Sequence, residues 1–265
     1  MLSVSTDYAA STDDPSPFLR KIADAGFTHV HWCHHWCTDF IYSPAEIEQI
    51  GKWLSEYGLE LLDLHGNTGP EKNWTAVEEY RRLAGVDLVK NRIEMTAELG
   101  GDAVVMHGAD DANYEPLRRS LDALEVFATE RSVRIALENG DFKALTRYLS
   151  EYDPAYVGIC YDCGHANIGN AAADVVPLKD RIAVVHLHDN DGTADQHMIP
   201  FTGTVDWQQL AETLAQSSYR KCVNLELVKY GSGLEEDEPA FLAKAYEAGE
   251  RISAMIAESS NSEDA

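Results

Sequence analysis

The chain has 265 residues, of which 45% are hydrophobic and 25% are charged, proportions typical of a globular protein with a substantial core. Its 45 Asp and Glu residues outnumber its 21 Lys and Arg residues, for a formal net charge of -24. Nucleic-acid binding needs cations against phosphates, so we expect no nucleic-acid partner. No run approaches the roughly 20 apolar residues needed to cross a bilayer. The N-terminus shows no signal-peptide pattern, so we predict a cytoplasmic location without membrane contact.

Short β-like runs alternate with longer amphipathic segments along the chain. The predicted strands cover residues 2–5, 28–32, 59–64, 102–106, 133–137, 156–160, 182–187 and 221–226. The predicted helices cover residues 17–25, a segment capped by Ser43, and residues 75–99, 115–130, 142–152, 171–178, 206–216 and 238–257.

This alternation predicts an α/β fold, a single (β/α)8 barrel over residues 1–258, with a polar tail over residues 259–265. The main rival is a doubly wound parallel sheet. Against it, no Gly-x-Gly-x-x-Gly follows the first strand, and polar residues follow nearly every strand instead of gathering at one switch point.

Histidine and carboxylate side chains follow six consecutive strands, from the third to the eighth. They are His65, His107, Glu138, Asp162 with His165, His186 with His188, and Glu226; Asp195 and His197 lie in the loop after the seventh strand. A single such residue is more often a hydrogen-bonded rim residue. The carboxyl ends of all strands in a parallel barrel open on one face, so we expect these side chains to converge.

Carboxylates that converge repel one another unless a cation lies between them. The pattern therefore predicts a divalent metal cofactor. Mixed imidazole and carboxylate donors suit Mn, Zn, Co or Fe, while Mg prefers fewer imidazoles. We predict Mn first, with Zn, Co or Mg as alternatives, and between one and three ions.

The five cysteines do not form an obvious framework. Cys33-x3-Cys37 and Cys160-x2-Cys163 could suggest a zinc ribbon. However, Cys160 lies in the apolar run YVGIC, where buried thiols are common. Structural roles are therefore favoured for the cysteines.

Several motifs together resemble the xylose isomerase-like barrel superfamily, which includes tagatose 3-epimerase, inosose dehydratase and endonuclease IV. The most specific are ALEN, YDCGH, VHLHDND, DQHMIPFTGTVDW and NLEL, and the resemblance covers nearly the whole chain. It implies a single-metal set, as in the epimerases: Glu138, Asp162, His186 and Glu226. The trinuclear zinc set of endonuclease IV also has counterparts here, which adds His65, His107, His165, Asp195 and His197.

The resemblance to the epimerases implies a sugar isomerase or epimerase that works through a metal-stabilised enediolate. Glu138 and Glu226 would then transfer the proton, while His165 and His188 orient hydroxyl groups. Two alternatives stay open on the same residues: a multinuclear zinc hydrolase of phosphodiesters and a dehydratase or lyase of the inosose dehydratase type. A metal-binding barrel without turnover is a third.

The expected partner is a small sugar or polyol. Trp32 or Trp36, in the segment HWCHHWCTDFIYS, could stack on a sugar ring at the barrel mouth, and Lys229 is the obvious cation for an anionic group. Some of the epimerases that the chain resembles have a substrate-binding Arg after the VHLHDND motif; none follows it here, which favours a neutral sugar, polyol or keto-sugar. Association into a homo-oligomer is an expectation without an interface signature.

Overall fold

The computed structural model describes residues 1–261, and residues 262–265 lie outside the described part. Its eight strands are β1 (Leu2–Ser5), β2 (His29–Trp32), β3 (Glu60–His65), β4 (Ala103–Met106), β5 (Arg134–Glu138), β6 (Val157–Asp162), β7 (Ile182–His186) and β8 (Val223–Leu225). All pair in parallel, in the order β7-β6-β5-β4-β3-β2-β1-β8. A parallel bridge between Leu187 and Leu225 joins the two ends of the sheet. The predicted barrel is confirmed.

The helices cover the outside of the barrel. They are α1 (Ser16–Asp24), α2 (Pro44–Tyr57), α3 (Glu79–Glu98), α4 (Tyr114–Thr129), α5 (Phe142–Glu151), α6 (Cys163–Ile168), α7 (Trp207–Ala215) and α8 (Glu238–Asn261). The start predicted for α2 is confirmed, because Ser43 and Glu46 form a capping box ahead of Pro44.

Two predicted helices differ from the structure. α3 begins at Glu79 instead of residue 75, because the preceding turn is held by Asn73, whose side chain accepts from Thr75, and by Trp74, which donates to the His107 carbonyl. The segment predicted as a helix at residues 171–178 is mostly turn and ends in a 3-10 helix over Val176–Arg181. α6 follows β6 without a loop instead.

The C-terminal helix is longer than predicted. α8 continues to Asn261, so residues 259–261 of the predicted tail are helical, and its remaining residues lie outside the described range. None of the helices within residues 1–261 has the length and apolar character to span a membrane. The cytoplasmic location and the oligomeric state stay predictions.

Small apolar side chains fill the barrel interior below the mouth. They form one buried cluster: Ala103, Val105, Ala136, Cys160, Ala183 and Val184. The larger apolar side chains form the layer between strands and helices. Because the strands run in parallel, their carboxyl ends and the polar residues there face one opening.

Candidate metal centre

The four residues of the predicted single-metal set meet at the mouth of the barrel. Glu138, Asp162 and His186 end β5, β6 and β7, and Glu226 follows β8 directly. One ligand atom from each lies within 4.8 Å of the others. His186 Nδ1 is 2.9 Å from Glu226 Oε2 and 3.3 Å from Glu138 Oε1. We call these four residues the principal set.

The donors of the principal set fit a divalent cation. Three carboxylates surround one imidazole, and all four residues have at most 9% of their surface exposed. Buried carboxylates this close are costly unless positive charge lies between them. The mixture of nitrogen and oxygen donors suits Mn, Co or Zn.

The two glutamates are held in the ionised form. Burial alone would raise the pKa of Glu138, but His107 and His186 hold it well below its usual range. Burial is likewise outweighed at Glu226, where His186 and His197 hold the pKa well below its usual range. Both side chains are therefore carboxylates at neutral pH, as a proton acceptor has to be.

Two further predicted residues bind to the outer side of Glu138. His107 Nε2 lies 2.6 Å from Glu138 Oε2, and His65 Nε2 lies 3.7 Å from the same oxygen. The three residues form a second group whose donor atoms lie within 4.8 Å of one another. Burial lowers the pKa of His65 to about 3, so this imidazole is neutral and has a lone pair for a ligand.

The remaining predicted residues gather around Asp195. Its Oδ2 is 2.9 Å from His197 Nε2 and 3.3 Å from His165 Nε2, while His197 Nδ1 is 3.9 Å from Glu226 Oε2. Burial opposes protonation of His165, but Asp195, Asp162 and Glu138 raise its pKa to about 10. The structure therefore brings every predicted metal-binding side chain to one mouth.

His188 packs behind the principal set. Its Nε2 lies 3.2 Å from Asp162 Oδ2, and its ring stacks on His197 with 4.2 Å between centroids. The ring lies directly against the backbone of Gly164, where a Cβ would come within 2.5 Å of Nε2. Only glycine leaves room for this approach.

The structure separates the residues predicted to bind substrate. Trp36 lies at the mouth, with its ring centroid 4.9 Å from that of His65. The prediction for Trp32 is wrong, because alternation along β2 turns this ring away from the barrel interior: it is 1% exposed and donates to Tyr42 Oη. The positive charge of Lys229 interacts with the carboxylates of Glu235 and Glu238, neither of which belongs to the principal set.

Sequence reasoning gave no site role to three polar residues near the ends of the first two strands: it did not single out Asp7 or His31, and it favoured a structural role for Cys33. Asp7 follows β1, His31 lies in β2, and Cys33 follows β2 directly. Burial, and then the charge of Glu226, raise the pKa of Asp7 to about 6. The signal was available, because Ser-Thr-Asp after the first apolar run repeats the pattern seen at the later strands.

A family model described as a xylose isomerase-like TIM barrel matches residues 19–247, and the chain belongs to this family. A protein of Sinorhizobium fredii is 31% identical over 90% of this chain and 88% of its own length. The 3-dehydro-D-guloside 4-epimerase of Escherichia coli is 26% identical, covering 73% of this chain and 80% of the enzyme.

Solved structures with the same fold include sugar epimerases. A D-tagatose 3-epimerase-like protein superposes with a TM-score of 0.79 at 22% identity, covering 100% of this chain and 99% of that one. The 3-keto-D-glucoside 4-epimerase of E. coli superposes with a TM-score of 0.73 at 21% identity, covering 96% and 98%.

Proposed function

We propose that this protein is a divalent-metal-dependent isomerase or epimerase of a keto-sugar. The observation that carries the proposal is the convergence of the principal set, with one donor atom from each residue within 4.8 Å of the rest. The E. coli relative, which is a 4-epimerase of a 3-dehydro sugar derivative, supports the substrate class.

Two ionised carboxylates could carry out the proton transfer. Glu138 and Glu226 come from well-separated strands, β5 and β8, yet both reach His186 Nδ1. A carbon held between them could lose its proton to one carboxylate and regain one from the other, which inverts the centre. Such general-base steps contribute about 10²–10⁴-fold in rate. A divalent ion in the principal set would supply Lewis-acid polarisation of the adjacent carbonyl.

A cavity of about 180 Å³ beside Glu138 could receive the sugar. The polar groups around it are His107, Asp110, Glu138, Asn139, Asp141 and His165, and no Lys or Arg is among its described lining residues. Such a cavity favours a neutral sugar over a phosphorylated one. Trp36 is not a lining residue, but its ring centroid lies 5.6 Å from that of His107, so it would stack on the part of the sugar that extends beyond the cavity. Cationic His165 would donate to a hydroxyl or carbonyl oxygen.

Hydrogen exchange with solvent tests the proposal. The chelator-treated protein is loaded with Mn²⁺ and incubated in D₂O with 3-keto-glycosides and ketohexoses, and NMR follows deuterium at the carbon beside the carbonyl. We expect incorporation together with a new epimer or isomer, and its loss in Glu138→Gln and Glu226→Gln. The matched control Glu130→Gln changes an exposed glutamate at the end of α4. Full exchange in either active-site variant would remove that residue from the mechanism.

A multinuclear zinc hydrolase is the second candidate, favoured by the group of His65, His107 and Glu138. Metal analysis after purification without chelator separates the two. About one equivalent supports the epimerase, whereas nearly three equivalents of zinc with phosphodiesterase activity would replace it. A dehydratase would also exchange the proton, but its product has lost water and is recognised by mass.

A further inference from the structure

Two side chains that do not belong to the principal set meet one of its members, Glu226, on the β8–β1–β2 side of the mouth. They are His31 in β2 and Cys33, which follows the strand directly; because the two residues are two positions apart in extended backbone, both point to the same side. One donor atom from each lies within 4.8 Å of the other and of a donor atom of Glu226. Both are buried, at 0% and 1% exposure.

The orientation of His31 is set from behind by a carboxylate. Its Nδ1 lies 2.6 Å from Asp63 Oδ1, and neither side chain is exposed to solvent. The carboxylate accepts the N–H of Nδ1, which leaves a lone pair on Nε2. Nε2 is buried and has no hydrogen-bond partner. A carboxylate on one ring nitrogen and a free lone pair on the other is the usual arrangement of a metal-ligating histidine.

The three donors of this group differ in kind. They are one imidazole nitrogen, one sulfur and one carboxylate oxygen. Tetrahedral sets of nitrogen, sulfur and oxygen suit Zn²⁺ and Co²⁺, and a thiolate excludes a preference for Mg²⁺.

From this geometry we infer a second cation site, selective for thiophilic divalent metals, formed by His31 Nε2, Cys33 Sγ and Glu226. A metal binds the thiolate, so the Cys33 proton is released to solvent when the ion enters. The site is distinct from the principal set, none of whose members is a cysteine, but the two sites share Glu226.

The shared carboxylate has a consequence for activity, which rests on the proposed function. An ion bound by Cys33 would take up the carboxylate of Glu226 that the proton transfer requires. Zn²⁺ added to the Mn²⁺-loaded enzyme should therefore inhibit it. The second site would act as an inhibitory metal site.

Titration with Co²⁺ tests the site without reference to activity. The chelator-treated full-length chain is titrated with Co²⁺, and the near-ultraviolet absorption of thiolate-to-cobalt charge transfer is recorded together with bound metal. We expect this band to appear with one equivalent of Co²⁺ beyond that held by the principal set. Absence of the band in the wild-type protein would overturn the inference, whatever the variants do.

Variants identify the sulfur and the role of the positioning carboxylate. Cys33→Ser should lose the band and one bound equivalent, while Cys160→Ser and Cys163→Ala should keep both. Cys160 is the critical control, because its thiol groups with Glu138 and His186. A band lost in Cys160→Ser but kept in Cys33→Ser would overturn the assignment. Asp63→Asn should weaken the binding of this Co²⁺ equivalent by about 10–100-fold, since it removes the group that orients His31.

Inhibition is measured separately, as the ratio of deuterium exchange with and without Zn²⁺ within each variant. At the lowest Zn²⁺ concentration that suppresses exchange in the Mn²⁺-loaded wild type, Cys33→Ser should bring the ratio close to one. Equal inhibition of both proteins at that concentration would overturn the inhibitory role. A cobalt band in a protein without any exchange activity would leave the second site standing and refute only the proposed function.

Discussion

Gly164 is the position where one added carbon should disturb the proposed metal site most directly. It is the second residue of α6, two residues after Asp162, and its backbone lies against the ring of His188. An alanine Cβ would come within 2.5 Å of His188 Nε2 and closer still to Cε1. Ordinary contacts begin at 3.4 Å, so the ring has to move by roughly 1 Å or more. Its stacking on His197 restricts that movement.

The magnitude follows from what His188 touches. Its Nε2 is 3.2 Å from Asp162 Oδ2, so a displaced ring withdraws the hydrogen bond that orients this member of the principal set. Loss of such a partner typically costs 10–100-fold in metal affinity, or about 1.4–2.7 kcal/mol. We therefore expect Gly164→Ala to bind Mn²⁺ about 10–100-fold more weakly than the wild type, with a matching loss of deuterium exchange at limiting metal.

The assay is isothermal titration of the chelator-treated protein with Mn²⁺, after circular dichroism has shown that the variant is folded. Gly169→Ala is the matched control. It lies in the same segment with φ of -76°, and an added Cβ there meets only ordinary contacts of 3.5 Å and longer. Wild-type affinity in Gly164→Ala, or an equal loss in Gly169→Ala, would refute the reasoning.

Three further predictions concern ionisation and buried charge. Burial lowers the pKa of His34 to about 4, below its unfolded value of 6.5, so between these pH values the unfolded chain binds a proton that the folded chain does not. The free energy of unfolding should therefore fall by up to about 3 kcal/mol as the pH falls from 6.5 to 4. Urea titrations of His34→Gln should lack this part of the pH dependence. Lys221→Met should lower the free energy of unfolding, measured by urea titration, by about 2 kcal/mol, because the Lys221 ammonium lies 3.4 Å from the fully buried Asp63 carboxylate. The control Lys52→Met removes an exposed ion pair on a helix and should lower it by less than roughly 0.5 kcal/mol. Although burial opposes protonation of His186, neighbouring groups including Glu226 raise its pKa well above the usual value. Mn²⁺ binding at pH 7 should therefore release a proton from this imidazole. Calorimetry in two buffers of different ionisation enthalpy measures the proton release, and Mn²⁺ binding without release would contradict the prediction.

The barrel and most of its site could be predicted because both follow from periodicity. Apolar runs ending in His, Asp or Glu locate the strand ends, and parallel strands bring those ends together whatever the loops do. The start of α6 could not be predicted in this way. Asp162 ends β6 and also caps α6, accepting from the His165 amide, so there is no loop for turn residues to mark. The segment after it has an apolar pattern but forms turns and a 3-10 helix that begins near Pro177.

The error at Trp32 and the omission of its neighbours have one physical cause. Aromatic composition favoured Trp32 for the pocket, but a strand alternates its side chains, and His31 and Cys33 occupy the inward positions on either side of it. The segment therefore contributes its imidazole and thiol to the interior and its indole to the layer beneath α2. Alternation applied along β2 would have exchanged these assignments.

Glu138 is the residue at which the two candidate functions exclude each other. Its Oε1 faces His186 in the principal set, and its Oε2 lies 2.6 Å from His107 in the second group. One ion in the principal set leaves one carboxylate oxygen to accept a substrate proton. A further ion, held by His65 and His107, would bind Glu138 Oε2 as well and leave no lone pair on this carboxylate to accept the substrate proton. A protein that transfers protons through Glu138 must therefore work without metal at the group of His65, His107 and Glu138. Zinc added until this group is filled should stop deuterium exchange even in Cys33→Ser. The zinc concentration required should be higher than the one that inhibits the wild type through Cys33.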